Sequence, residues 1–375
     1  MNLETLMRLM VSRGASDLHL KANAFPHIRV HGDLTPLAEY GKMGPEDPLM
    51  MAFSIMNNRQ KQKFRDHAEA DIGYGIKGLG RFRINVFQQR GSVSVAIRAI
   101  PSKILTFDDL LLPKVLAKIA EEPRGLVLVT GTTGSGKSTT IASMINYINE
   151  RMTRHIITIE DPIEFLHIDR MSLVSQREVS VDAASFSAAL RSAMRQDPDV
   201  ILVGEMRDLE TIETALLAAE TGHLVFSTLH TLDAVETINR IIAVFPSHQQ
   251  RQIRLQLAQV LRGVISMRLI KRSDVAGRLP AIEIMVVTEY IRNCITEPEK
   301  TRLIRAAISQ GTSQYGMQTF DQSLYEHYKA GRITYDEALA YASNPDEFKL
   351  RVQGIYSTKE AAIESMEQEL AGREP

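Results

Sequence analysis

The chain has 375 residues, 44% hydrophobic and 24% charged, enough for two domains that each bury a core. Its 44 Lys and Arg against 45 Asp and Glu give a net charge of -1, which argues against a dedicated nucleic-acid binder. One cysteine, Cys294, excludes a disulfide framework and every multi-cysteine zinc site and fits a reducing cytosol, and no run of 18 apolar residues is present to cross a membrane.

Leu3, Leu6, Met7 and Met10 recur at helical spacing and predict an opening amphipathic helix rather than a signal peptide. Short strands are expected around Leu18–Lys21 and His27–Val30, then a turn at 31–33 and a helical segment over 45–66. Three runs alternate with period two: Glu69–Ile76, Gly80–Phe87 and Ser92–Ile100. In the second, Phe82, Ile84 and Val86 share one face, which leaves Arg81 and Arg83 on the other with Arg98. Residues 1–100 therefore read as a small α+β domain, and 101–113, bounded by Pro101 and Pro113, as a connector. Residues 1–112 carry 15 Lys/Arg against 11 Asp/Glu, or +4, and the remainder 29 against 34, or -5.

From residue 124 strands and helices alternate. Strands are expected at 125–130, 155–160, 200–205 and 224–230, with helices at 138–150, 184–196 and 208–220, the pattern of a parallel sheet wrapped by helices. After residue 232 the chain reads as mostly helical with one strand at Ala281–Val287. A second domain is thus expected over 114–355, and a charged, loose tail over 356–375.

The run GTTGSGKS, residues 131–138, matches the phosphate-loop pattern in its required setting, after a buried-type strand and before a helix. Thr133, Gly134, Ser135, Gly136, Lys137, Ser138 and Thr139 are the expected nucleotide contacts. Glycines let the backbone N–H groups point at phosphate oxygens, and the helix start adds its positive dipole end. Lys137 would reach the β/γ-phosphates and Ser138 would ligate Mg²⁺. Two apolar strands end in acids, at Glu160 and Glu205. Glu205 follows Gly204 where Asp is commoner, which makes Glu205 the expected base, with Glu160 polarising the same water or holding Mg²⁺ through one. The alternative for such strand-end acids is a cap on the next helix, a task Asp208 and Glu210 can perform.

His223 and His230 flank the strand at 224–229 at a spacing that fits no zinc pattern. Either they are structural, or His230 senses the γ-phosphate. The basic stretch holding Arg81, Arg83, Arg90 and Arg98 is either a solvated sheet face or the source of an arginine finger toward a neighbour's nucleotide.

Taken together, the segments SDLHL (16–20), GRFRINVFQQRG (80–91), PRGLVLVTGTTGSGKSTT (123–140), ITIEDPIEF (157–165), RQDPDVILVGEMRDLETIETAL (195–216), ETGHLVFSTLHT (220–231) and GMQTFDQ (316–322) resemble the PilT family of type IV pilus retraction motors, within the secretion ATPase superfamily. The resemblance implies a PAS-like α+β domain followed by a RecA-like ATPase domain with a helical C-terminal extension. It also implies a homohexamer that uses ATP and Mg²⁺ at the cytoplasmic face of the inner membrane. The implied partners are a platform protein of the pilus machine and a paralogous motor; nucleic acid is not among them and the chain does not insert in the membrane. By position, Glu160 matches the acidic-box glutamate, Glu205 the Walker B glutamate, His223 and His230 the histidine box, and Arg83 and Arg98 the first-domain arginines that meet the phosphates. The AIRNLI-like motif of retraction motors corresponds here to Tyr290 through Ile295, with Tyr for Ala and Cys294 for Leu, which leaves a PilU-like accessory motor as the nearest alternative, ahead of a pilus-assembly or type II secretion ATPase and a nucleic-acid-translocating RecA-like hexamer.

Overall fold

A computed structural model describes residues 2–30, 32–100 and 103–355. The tail expected over 356–375 and the turn residue His31 lie outside the described residues. Two units form: Met1–Ile104 with Glu160–Ile168, and Leu105–Ile159 with the chain from Asp169 onward.

Period-two alternation builds the first unit. Strands β1 (Asp17–Lys21), β2 (His27–Val30), β3 (Asp33–Pro36), β4 (Glu69–Ile76), β5 (Gly80–Gln89) and β6 (Ser92–Ile100) form one antiparallel sheet in the order β3-β2-β1-β6-β5-β4. Leu18, Leu20, Ile72, Phe82, Ile84, Val86, Val95 and Ile97 gather in one core with Leu3, Leu6, Met7 and Met10 of the helix Leu3–Ser12. Truncating Phe82, 1% exposed, would cost about 3–5 kcal/mol. The single helical segment expected over 45–66 is two helices, Asp47–Ile55 and Asn58–His67. Asn57 breaks it: its side chain accepts from Gln60 N at 2.9 Å while the Gln60 side chain accepts from Asn57 N at 3.0 Å, a capping box that starts a new helix.

In the second unit β7 (Gly125–Thr130), β8 (His155–Glu160), β9 (Leu173–Glu178), β10 (Val200–Val203), β11 (Leu224–Leu229), β12 (Leu261–Lys271) and β13 (Arg278–Val286) make a sheet of order β13-β12-β7-β11-β10-β8-β9. Neighbours β7, β11, β10 and β8 run parallel. Alternate residues of the same strands enter two cores on opposite faces, Leu126, Leu128, Ile201 and Val225 in one and Val127, Val129, Val200 and Phe226 in the other. A strand covered on both faces reads as a continuous apolar run, as β7 and β10 do. A further core joins Ile270, Leu279 and Ala281 of the β12–β13 hairpin to Phe320, Leu324 and Phe348 of the C-terminal helices.

Two expectations change here. The stretch after 232 is mostly helical, as expected, but holds two strands rather than one: β12 and β13 form a long antiparallel hairpin whose inner strand β12 lies directly beside β7. The helix Gln250–Val260 passes into β12 at Leu261 without a glycine or proline between them. The connector expected over 101–113 packs with the second unit from Phe107 on: Leu112 is buried in its core, and Phe107 and Leu110 lie against it.

Candidate nucleotide-binding site

β7 delivers the chain to the loop at 131–136, and Gly136 caps the helix Lys137–Arg151 with φ +99°. Gly131 has φ +139°, and a Cβ there would stand 2.5 Å from Met267 O and 2.6 Å from Ser135 Oγ. Only glycine fits, for conformation and for space. Lys137 is buried, and its ammonium donates to Gly131 O at 2.7 Å and Thr132 O at 2.9 Å, which keeps it folded into its own loop. Ser135 is buried too, and its Oγ has no hydrogen-bond partner. Thr133, Gly134 and Ser138 are exposed and Thr139 is half-buried. A positive-φ cradle, a buried ammonium and a helix start of 15 residues fit a polyphosphate. No three His, Cys, Asp or Glu gather as a metal site among the described residues, and the exposed Ser138 hydroxyl at the helix start is the oxygen that could join phosphates in holding Mg²⁺.

The parallel strands end at this edge of the sheet. β11 lies beside β7 and β10 beside β11, so His230 and Glu205 leave neighbouring strand ends. Thr228 Oγ1 donates to Gly204 O at 2.6 Å and Met206 N to Thr228 O at 3.3 Å, which stitches the two exits together. Glu205, with a side chain 19% exposed, meets His230 Nε2 at 3.3 Å and Arg207 at 2.7 Å. Burial by itself would raise its pKa. The Arg207 hydrogen bond and charge, with the charges of His230 and Lys137, outweigh burial and hold the carboxyl below its ordinary value. Asp208 caps the helix Leu209–Glu220 through Thr211 N at 2.9 Å, which leaves Glu205 out of that task.

The remaining expected residues fall elsewhere. Glu160 closes β8, where Ile159 is in register with Val203, and accepts from Glu164 N at 3.4 Å. It is the first residue of the segment that groups with the first unit. His223 is not brought to the phosphate loop. It precedes β11, its carbonyl accepts from Gly125 N at the start of β7, and its ring bonds Ala218 O at 2.8 Å. A whole strand separates the two histidines, and His230 stands beside the acid. Arg83 and Arg98 are cross-strand partners on β5 and β6. Each has an acid: Arg98 lies 2.8 Å from Asp17 and Arg83 3.8 Å from Asp71.

The model of the type II/IV secretion system protein family matches residues 3–340. The chain belongs to this family. It is 46% identical over 348 residues to the type IV pilus retraction ATPase PilT of Pseudomonas aeruginosa, covering 93% of this chain and 100% of that one. It is 40% identical over 353 residues to the type IV pilus ATPase PilU of the same organism, covering 94% and 92%. A crystal structure of the pilus retraction motor PilT with bound ADP superposes with a TM-score of 0.86 at 46% identity, covering 92% of this chain and 98% of that one. This secretion-family chain is accordingly a nucleotide-binding ATPase, an α/β protein with an N-terminal domain followed by a RecA-like domain. Its departures from the AIRNLI-like motif lie on the helix Glu289–Thr296: Cys294 fills a buried position and Tyr290 is exposed. Arg207 and Met267 were missed from sequence. Arg207 carried one signal, a cation two residues after the strand-end acid, whereas β12 was not recognised as a strand.

Proposed function

We propose that this protein hydrolyses ATP as a homohexameric motor that powers type IV pilus retraction at the cytoplasmic face of the inner membrane. The observation that carries the reading is 46% identity along the full length of a pilus retraction ATPase, in a chain that keeps the phosphate loop and the Glu205–His230 pair.

Lys137 and the backbone N–H groups of 133–139 hold the β- and γ-phosphates, and Lys137 exchanges its two loop carbonyls for phosphate oxygens. Ser138 would hold Mg²⁺, which would offset phosphate charge when bound. Glu205 takes the proton of the attacking water and is ionised at neutral pH because its pKa lies below the ordinary value. Arg207 and His230 fix its two oxygens. Glu160 polarises the same water. Arg83 and Arg98 supply the positive charge that a transferring phosphoryl group needs, leaving Asp71 and Asp17 to do so. Nucleotide-dependent closing and reopening turns a membrane platform protein and extracts pilins, with a paralogous motor as a further partner. No helix among the described residues is long and apolar enough to cross a membrane, so docking on that platform supplies the location.

Deletion of the gene tests the direction of force. Excess surface pili without twitching is the expected outcome, and bald cells overturn it. Normal twitching that fails only when a second motor is also lost marks the accessory role. The chemistry is tested by Glu205→Gln, expected to bind ATP and to lose about 10²–10⁴-fold in turnover. Full turnover by that variant removes Glu205 as the base.

A further inference from the structure

Glu283 is a buried carboxyl, 5% exposed, on the long edge strand β13, and the mechanism above leaves it without a task. Its Oε1 accepts from Ala234 N at 2.9 Å. Ala234 is the first residue of the helix Ala234–Ala243, whose free N–H groups and dipole favour a carboxylate there. The turn before that helix begins at His230. Thr231 Oγ1 bonds Thr237 Oγ1 at 2.7 Å, Leu232 N donates to Glu236 at 2.8 Å, and Glu236 N donates to the capping Asp233 at 2.7 Å. The turn is therefore one rigid piece with the helix start. One end of it is gripped by Glu283, and the other presents His230 to Glu205 at 3.3 Å.

We propose that Glu283 is a positioning residue: through Ala234 N–H it sets where His230 stands against Glu205, and its charge state sets how firmly. The proposal rests on the ATPase reading for its kinetic consequence, not for its geometry. The charged groups acting on Glu283 are Asp233 at the helix cap, Arg268 on β12 and Arg305 on the helix Ile304–Gln310. Arg268 is engaged by Tyr341 O at 2.6 Å and lies over the Phe320 ring, and Arg305 pairs with Asp321 at 3.3 Å, so neither neutralises Glu283 fully. Burial pushes the Glu283 carboxyl up to about 7, against the Ala234 N–H bond and the two arginines and with the help of Asp233. Its grip on the helix start is thus strongest above neutral pH, where it carries the charge that the N–H and the helix dipole prefer.

The test uses the full chain with and without Glu283→Gln, which keeps an acceptor for Ala234 N–H but cannot ionise. The His230 ring resonance, assigned with His230→Ala, is followed by NMR from about pH 5.5 to 8.5. The wild type is expected to show an inflection near 7 that is altered in Glu283→Gln. ATP turnover is followed over the same range. An inflection near 7 in kcat is expected in the wild type and not in Glu283→Gln, with KM for ATP changed by less than about twofold. In the His230→Ala background, Glu283→Gln is expected to change kcat by less than about twofold, because the two residues act through one path. A fully additive loss, or the same pH profile in Glu283→Gln as in the wild type, overturns the proposal. Should Glu283→Gln fail to fold, the wild-type kcat profile decides, and a profile without an inflection near 7 overturns the proposal. A protein whose His230 resonance responds to Glu283→Gln but that has no turnover refutes the proposed function and keeps this inference; turnover without that response does the reverse.

Discussion

Glu205 and Arg207 show how two neighbours divide one task. Burial raises the carboxyl's pKa and Arg207 does most of the lowering, so the folded value is depressed below the unfolded one. The stability this pair contributes is present above the unfolded carboxylate pKa and is lost as pH falls through the folded value. Arg207→Ala removes the lowering and keeps the burial. The acid limb of the kcat/KM profile for ATP hydrolysis is expected to move to higher pH, and superimposable profiles would show that Arg207 does not tune the base. Glu205 was legible as a strand-end acid after an apolar run. Its contact with His230 was not, because that residue is 25 positions away and two adjacent strand exits bring it to 3.3 Å. The first-unit arginines differ in a way that matters for experiments. Arg98 serves Asp17, which is only 12% exposed, so Arg98→Ala is expected to cost about 1 kcal/mol of stability in a denaturant titration. Arg83 shares a solvated pair with Asp71, and Arg83→Ala is expected to cost under about 0.5 kcal/mol.

At the scale of elements, the phosphate loop depends on a strand that the sequence hid. Gly131 packs on the carbonyl of Met267 in β12, a backbone atom that cannot yield. Gly131→Ala is therefore expected to weaken equilibrium binding of a fluorescent ATP analogue at least about tenfold and to lower the melting temperature, since strain at a special backbone position adds to a steric clash. Gly134 also has positive φ but nothing within 4 Å of its Cβ position, so Gly134→Ala is expected to cost only the conformational penalty of about 1–2 kcal/mol. Equal binding losses in both variants would remove the role assigned to β12. β7, β8, β10 and β11 were legible because each is a short apolar run bounded by turn or cap residues. β12 was not, because the helix before it runs into it at Leu261 without a breaker. Burial on both faces also erases the alternation that marks a half-exposed strand.

For the whole molecule, the charge asymmetry read from sequence takes a more specific form. The basic residues of β5 and β6 share their sheet face with Asp17 and Asp71, so this surface is an array of ion pairs rather than a bare positive patch. The exposed Arg83–Asp71 pair exchanges cheaply, whereas Arg98 leaves a largely buried Asp17 and exchanges at more cost. That difference bears on the proposed role, in which each arginine leaves its aspartate for a phosphate. If they act on a neighbouring subunit, mixing Arg83→Ala with Lys137→Ala subunits is expected to restore part of the ATP turnover that each lacks alone. No recovery at any ratio would place the arginines in their own subunit's site or outside catalysis.

Sequence alone determined what depends on neighbours along the chain. The phosphate loop with its flanking strand and helix, the apolar runs of the parallel strands, the amphipathic opening helix and the alternation of β4 to β6 are all local patterns, set by periodicity and by residues with restricted backbone angles. Tertiary structure decided what depends on which strands lie side by side. The order β12-β7-β11-β10 brings His230 to Glu205 across the β11–β10 pair, leaves His223 at the far end of β11, and puts Met267 of β12 against Gly131. It also carries Glu283 from the edge hairpin to the start of the helix that follows His230. Strand order is a property of long-range packing, and no window of sequence contains it.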